Sequence, residues 1–174
     1  MIIRRAKQGD LHAFSALVRN YKIYVYKTAF GILQNTLDAE DVTQETFLKV
    51  YQSLRSLRND ETFPTWIARI AVRKAFDLAK QNRRIQTFDP QIEQSRFIAH
   101  DAIPDSRLEM EYALQRLSPE HRAVLVLREL QGWDYEQIAK VLEIPIGTVR
   151  SRLHHARTQL RQILSESEER QDDM

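Results

Sequence analysis

In the last third of the chain Ile146, Val149, Leu153, Ala156, Leu160 and Ile163 recur at spacings of 3, 4, 3, 4 and 3 residues. That is the period of one buried helical face and does not fit the two-residue period of a strand. The opposite face of the same helix carries Thr148, Arg150, Ser151, His154, His155, Arg157, Thr158 and Arg161. From Pro145 to Leu164 there are four arginines, two histidines and no acid, whereas a solvated face usually balances its signs. Just upstream, Asp134-Tyr135-Glu136-Gln137 is spaced as a capping box, opening a short helix with Ile138, Ala139, Val141 and Leu142 inward. Glu143-Ile144 makes a tight connection and Pro145 starts the longer helix. A short helix, a tight turn and a longer basic helix form the helix-turn-helix arrangement, whose second helix enters the DNA major groove. Many such turns use Gly where this chain has Glu143. The plainer alternative is a helical hairpin with a solvated charged face, which the absence of acid disfavours.

The rest of the chain keeps the same period. With only four Gly and five Pro in 174 residues, helices are favoured over a turn-rich β-sandwich or barrel and the expectation is an all-α fold. Asp10 caps a helix with Phe14, Leu17, Val18, Tyr21, Val25 and Phe30 in register. After Gln34-Asn35-Thr36, either Thr36 or Asp38 caps a second helix with Val42, Phe47, Val50 and Leu54 on one side. Pro64 suits the first turn of a third, running to about Asn82. Periodicity lapses from Arg83 to about Asp105, and Ser118-Pro119 starts another helix after Leu108, Tyr112 and Leu117. The expected organisation is two small helical domains, 1–84 and 107–174, joined by a flexible linker over 85–106. An acidic, frayed tail follows. No cysteine is present, so disulfides and thiolate metal sites are excluded. The longest aliphatic run, Ala123 to Leu127, is far short of the roughly 20 residues a spanning helix needs. The N-terminal residues do not read as a signal peptide, and the cytoplasm is the expected compartment.

Two further segments carry chemistry. From Trp66 to Arg84 six basic residues stand against one acid. Ile67, Ile70, Ala71, Ala75 and Leu78 share one helical face and Trp66, Arg69, Arg73 and Lys80 the other. An aromatic among cations suits single-stranded nucleic acid, since bases stack on rings while cations follow phosphates. A tryptophan half-buried between helices, with arginines snorkelling around it, fits the spacing equally well. The second segment is the acidic block Asp38, Glu40, Asp41 and Glu45, whose carboxylates fan outward from one helix rather than converge on a cation. The five histidines form no HExxH pair, and the four glycines are too scattered for a phosphate loop. No enzymatic activity, metal or nucleotide cofactor is therefore expected. A helix-turn-helix regulator with residues 1–82 as a sensor explains the C-terminal half but leaves the second basic-aromatic patch unused.

Asp38-Ala39-Glu40-Asp41-Val42-Thr43-Gln44-Glu45-Thr46-Phe47, Phe63-Pro64-Thr65-Trp66-Ile67-Ala68-Arg69-Ile70-Ala71, Leu117-Ser118-Pro119-Glu120-His121-Arg122 and Tyr135-Glu136-Gln137-Ile138-Ala139 with Pro145-Ile146-Gly147-Thr148-Val149-Arg150-Ser151-Arg152 occur in one order. This order resembles that of the extracytoplasmic-function sigma factors, dissociable promoter-specificity subunits of bacterial RNA polymerase built from sigma regions 2 and 4. The resemblance covers about residues 6 to 164. It implies that Asp38, Asp41, Gln44, Glu45 and Leu48 dock on the clamp helices of the polymerase beta-prime subunit, with the beta flap as a further partner. It implies that Arg58 and Asn59, in a loop from Arg55 to Thr62 that captures a flipped base, and Phe63, Trp66, Arg69, Arg73 and Lys80 meet the minus-ten element. Thr148, Arg150, Ser151, His154, His155 and Arg157 are assigned to the minus-thirty-five element. An anti-sigma factor, often membrane-anchored, is a further implied partner.

Residues 83–106 span at most roughly 80–86 Å when extended and about 25–29 Å as a free coil. Promoter elements two DNA turns apart, at about 34–36 Å per turn, demand a nearly extended linker. The two halves are therefore expected to sit together in the free protein, each DNA face partly hidden, and to separate on polymerase. Ile92, Phe97, Ile98 and Ile103 of the linker are candidates to pack on the closed form.

Overall fold

The computed structural model describes residues 2–88 and 105–172, with side chains placed over 2–85 and 108–166. Every regular element among them is helical, as the sparse glycine and proline dictate. In the first half these are α1 (Ile2–Lys7), α2 (Leu11–Leu33), α3 (Thr36–Ser53) and α4 (Phe63–Phe88). Two short 3₁₀ turns, Leu54–Ser56 and Asp60–Thr62, precede α4. The second half holds α5 (Asp105–Gln115), α6 (Pro119–Leu125), a π turn at Val126–Leu130, α7 (Tyr135–Leu142) and α8 (Ile146–Asp172).

The ends of these helices show how far local chemistry sets the fold. Asp10 caps α2, its carboxylate accepting the Ala13 amide at 3.0 Å. Ser118 caps α6, and Asp134 with Gln137 closes the expected capping box on α7. At α3 the cap is Asn35, not Thr36 or Asp38: its Oδ1 accepts the Asp38 amide at 2.9 Å, and Thr36 is already helical. The helix from Pro64 does not stop at Asn82. No glycine or proline intervenes before Pro90, so nothing breaks it and α4 reaches Phe88. For the same reason α8 runs into the acidic tail as far as Asp172, where fraying was expected. Helix α1 was not foreseen. Its Ile2, Ile3 and Ala6 pack on the N-terminal core, and Arg5 reaches Asp10 at 2.7 Å. The linker residues Ile92, Phe97, Ile98 and Ile103 lie outside the described residues.

Two cores result. One belongs to the N-terminal half alone: Leu17, Val25, Phe47, Val50, Phe63 and Ile67 between α2, α3 and α4. The other is shared. Ala29, Ile32, Val42, Ala68 and Val72 pack in one cluster with Val124, Leu127, Trp133, Ile138 and Val149 of the C-terminal half. The close approach depends on Gly31 of α2, where a Cβ would sit 2.3 Å from Val126 Cγ2. Beside it Tyr24 stacks on Trp133 with ring centroids 6.4 Å apart, and Gln131 donates to the Thr28 hydroxyl at 3.2 Å. The expected closed arrangement of the two halves is therefore what the structure holds. Within the C-terminal half a buried arginine, Arg122, closes the end of α5 by donating to the Leu114 and Gln115 carbonyls at 3.3 and 3.4 Å. Burial pushes its pKa down to about 10.

Candidate nucleic-acid interface

Helix α4 carries the first cationic face. Ile67, Ala68, Ala71, Val72 and Ala75 turn inward, which leaves Arg69, Arg73 and Lys80 on the outward arc. Arg73 and Lys80 are exposed and Arg69 is half-exposed. Trp66 is half-buried, its ring 5.9 Å from that of Phe63. Phe63 itself does not lie on this face. It is fully buried in the N-terminal core, edge-on to Tyr21 at 5.0 Å, and supports Trp66 from beneath. An aromatic beside Pro64 and Trp66 gives no sign in the sequence of which way it points. In the preceding loop Arg58 and Asn59 are exposed. The Asn59 carboxamide caps the second 3₁₀ turn by accepting the Glu61 amide at 2.9 Å, and Lys7 of α1 holds Asp60 at 2.7 Å.

The arginines of this face are already engaged. Arg73 donates to Glu143 Oε2 at 2.8 Å, and Arg69 lies 3.6 Å from Glu143 Oε1. Arg69 also donates to the Lys140 carbonyl at 2.8 Å. Both acceptors belong to the last turn of α7 and its cap, the negative end of that helix. Glu143 adopts φ 55° and ψ 43°, a left-handed conformation usually left to glycine.

Helix α3 presents the acidic face. Asp41, Gln44, Glu45 and Leu48 are exposed, while Asp38 is half-buried and accepts from Asn82 of α4 at 2.9 Å. Glu45 pairs with Lys74 of α4 at 2.5 Å, so this face is the wall of a cleft between α3 and α4, with Asp77 and Gln81 opposite. Leu48 is 58% exposed and Tyr51, one turn on, 56%, with the Tyr51 ring edge-on to Phe14 at 5.0 Å. Tyr51 belongs to the same surface as Leu48, and its three-residue spacing from Leu48 is the signal that marks it.

Helix α8 carries the second cationic face. Val149, Leu153 and Ala156 are buried, and Leu160 and Ile163 pack partly against the shared core. Ile146, at the start of the stripe, is 38% exposed. Arg150, Ser151, His154, His155 and Arg157 are exposed and Thr148 is half-buried. The two imidazoles meet edge to face at 5.7 Å. Arg157 donates from both Nε and Nη2 to one oxygen, Oε1 of Glu129 in the π turn, at 3.1 and 2.5 Å, and this hydrogen bonding raises its pKa. Neither Glu129 nor Glu143 was foreseen as a neighbour of these arginines.

Three surfaces thus stand on one helical body: an acidic-apolar face on α3, an aromatic-cationic face on α4 and a donor-rich face on the second helix of a helix-turn-helix. Sigma-70 region 2 matches residues 17–85 and sigma-70 region 4 matches residues 107–160. The chain is 37% identical over 165 residues to the ECF RNA polymerase sigma factor SigE of Mycolicibacterium smegmatis, taking in 91% of this chain. It spans 64% of the length of that relative. It is 35% identical over 170 residues to the RNA polymerase sigma-H factor of Pseudomonas aeruginosa, covering 90% of this chain and 88% of the other. In fold it is similar to CnrH in the structure of its complex with the cytosolic domain of CnrY, at a TM-score of 0.72 over 95% of this chain and 96% of that one, with 24% identity. Among the described residues no helix is long and apolar enough to cross a membrane. The chain belongs to the extracytoplasmic-function sigma factors of bacterial RNA polymerase.

Proposed function

We propose that this chain is the dissociable subunit that gives bacterial RNA polymerase its promoter specificity, contributing recognition rather than catalysis. The observation that carries the reading is the match of regions 2 and 4, in that order, to the two halves that bear the three surfaces. Asp38, Asp41, Gln44, Glu45 and Leu48, joined by Tyr51, form the face for the beta-prime clamp helices. Arg58, Asn59, Trp66, Arg69, Arg73 and Lys80 serve the minus-ten element. Phe63 acts there only through Trp66 while it stays in the core. Thr148, Arg150, Ser151, His154, His155 and Arg157 serve the minus-thirty-five element. The working units are 1–84 and 107–174, joined by 85–106. A regulator with a sensor domain is disfavoured because region 2 occupies the residues a sensor would need.

The closed arrangement is the resting form, and binding of core polymerase separates the halves. An anti-sigma factor holds the closed form, and membrane anchoring of that partner would keep this chain at the inner membrane face. Run-off transcription with purified core enzyme, followed by mapping of start sites, tests the reading. Initiation at discrete sites that core enzyme alone does not use is the expected result. Core binding without specific starts overturns it.

A further inference from the structure

The outward arginines of α4 do not wait for DNA; they are occupied by the helix-turn-helix of the other half. We infer that the α7–α8 turn, through Glu143, is a built-in competitor for the phosphates that the α4 face would take, so that the turn and DNA exclude each other there. The inference rests on the sigma-factor reading for what α4 binds, but the contact itself stands on geometry alone.

Glu143 brings two oxygens to two guanidinium groups, at 2.8 Å from Arg73 and 3.6 Å from Arg69, and the Lys140 carbonyl adds a third acceptor at 2.8 Å. Together they imitate the acceptors of a phosphate, drawn from residues 70 or more positions away in sequence. The placement is not what local structure prefers. At φ 55° a glycine would be unstrained, whereas a side chain in the left-handed region costs free energy that glycine does not. A carboxylate here is disfavoured locally and favoured only by what it reaches. The clamp is also incomplete, because Arg69 Nε is buried without a hydrogen bond. A clamp that leaves a guanidinium donor unsatisfied is suited to being displaced. The carboxylate and Arg73 are about half and two-thirds exposed, so the contact is screened by salt and amounts to a bias on closure rather than its main source. Exposed ion pairs of this kind, taken twice, shift an equilibrium about two- to thirty-fold.

Two readouts on the full chain test this. The absence of native cysteine allows spin labels to be placed only at Lys80→Cys and Thr158→Cys, reporting the distance between α4 and α8. Binding of a fluorescent mixed-sequence single-stranded 20-mer at low salt reports how available the α4 face is, even when the open form is rare. The variants are Glu143→Gln, which removes the charge, and Glu143→Gly, which removes charge and strain together. Glu136→Gln, on the first turn of α7, serves as the control for a general charge effect. Both Glu143 variants are expected to bind the oligonucleotide about two- to thirty-fold more tightly than the parent and to lose salt dependence of the open fraction, with Glu136→Gln close to the parent. Equal gains for Glu136→Gln and Glu143→Gln would show a long-range charge effect and overturn the inference. So would a gain confined to Glu143→Gly, which would assign the effect to backbone strain. None of these outcomes depends on whether core polymerase initiates from a given promoter, so failure here is distinct from failure of the sigma-factor reading.

Discussion

The two basic helices, α4 and α8, are alike in sequence and opposite in circumstance. Each buries an apolar stripe and turns arginines outward. On α4 the arginines answer to an acid from the other half of the chain, whereas on α8 Arg150, His154 and His155 are exposed and Arg157 answers to Glu129 of its own half. On α4 the contact includes a backbone acceptor, the Lys140 carbonyl, which can leave Arg69 only if the segment or the arginine moves. A face held by a neighbour can be released by turning one side chain. In the closed structure the α4 arginines are therefore tied across the two halves, and those of α8 are not.

The sharpest way to break the contrast is Gly31→Ala. An added Cβ would meet Val126 Cγ2 at 2.3 Å, with Cγ1 and Cβ at 3.3 and 3.4 Å, so Val126 must turn or shift to admit it. Overpacking of this kind costs up to about 3 kcal/mol, and here it falls on the contact between halves. Within α2 the change is favourable, since alanine exceeds glycine in a helix interior by about 0.5–1 kcal/mol. The expected result is an expanded particle in solution scattering with undiminished helical content. Val126→Ala in the same chain should restore compactness. A Gly31→Ala protein as compact as the parent would mean that the halves close without this contact.

A smaller effect is expected at Trp66. Its ring leans on buried Phe63, so Trp66→Ala removes packing as well as a stacking surface for an unpaired base, the latter contributing about 1–3 kcal/mol. Permanganate footprinting on duplex and pre-melted promoter templates separates the two. Opening of duplex should suffer more than binding to the pre-melted template. Equal losses would assign Trp66 to the fold.

On the open face, Arg150→Ala and Arg157→Ala should differ. Arg150 is exposed, and losing a base-reading arginine costs about 1–3 kcal/mol and relaxes one position. Arg157 must first leave Glu129 at 2.5 Å, so part of what it gains from DNA is offset, and Arg157→Ala should cost less than Arg150→Ala. Glu129→Gln should then tighten duplex binding slightly. Titrations of a minus-thirty-five duplex measure all three. An equal cost for both arginines would mean that the Glu129 pair does not compete with DNA.

How much of this was legible in the sequence divides along the same line. The α8 stripe from Val149 onward, the α7 capping box and the Asp10 and Ser118 caps are local patterns, written within a few residues, and each sits where its spacing places it. The Asn35 cap was missed for Thr36 or Asp38, because all three side chains, within four positions, have capping chemistry. The end of α4 was missed because Arg83, Arg84 and Ile85 are exposed, and an exposed helix end carries no apolar period. Glu143 was visible as an odd residue in a turn that favours glycine. Its reason was not, since Arg73 is 70 residues away and only the packing of the halves brings them together.

The smallest expected effect concerns the base of the α4 face and its response to acid. Lys7 of α1 holds Asp60, beside the loop that leads into α4, at 2.7 Å, and Asp10 receives the Ala13 amide and the Arg5 guanidinium. These hydrogen bonds lower both carboxyl pKa values below the ordinary 3.8, for Asp10 chiefly through the Ala13 amide and for Asp60 chiefly through Lys7. A carboxyl whose folded pKa is depressed gives its stabilisation in full above the unfolded value and loses it as pH falls through the folded one. The anchoring of α1 should therefore be constant through neutral pH and weaken only below about pH 4. Both aspartates are solvent-screened, so the loss should be local: NMR signals of α1 and of residues 57–62 shift and broaden while those of α7 and α8 hold their positions. Asp60→Asn should reproduce the change around Lys7 at pH 7, with α8 again unaffected. Simultaneous shifts in α1 and α8 on acidification would mean that the two halves respond to acid as one unit, and that the difference between their faces does not extend to their supports.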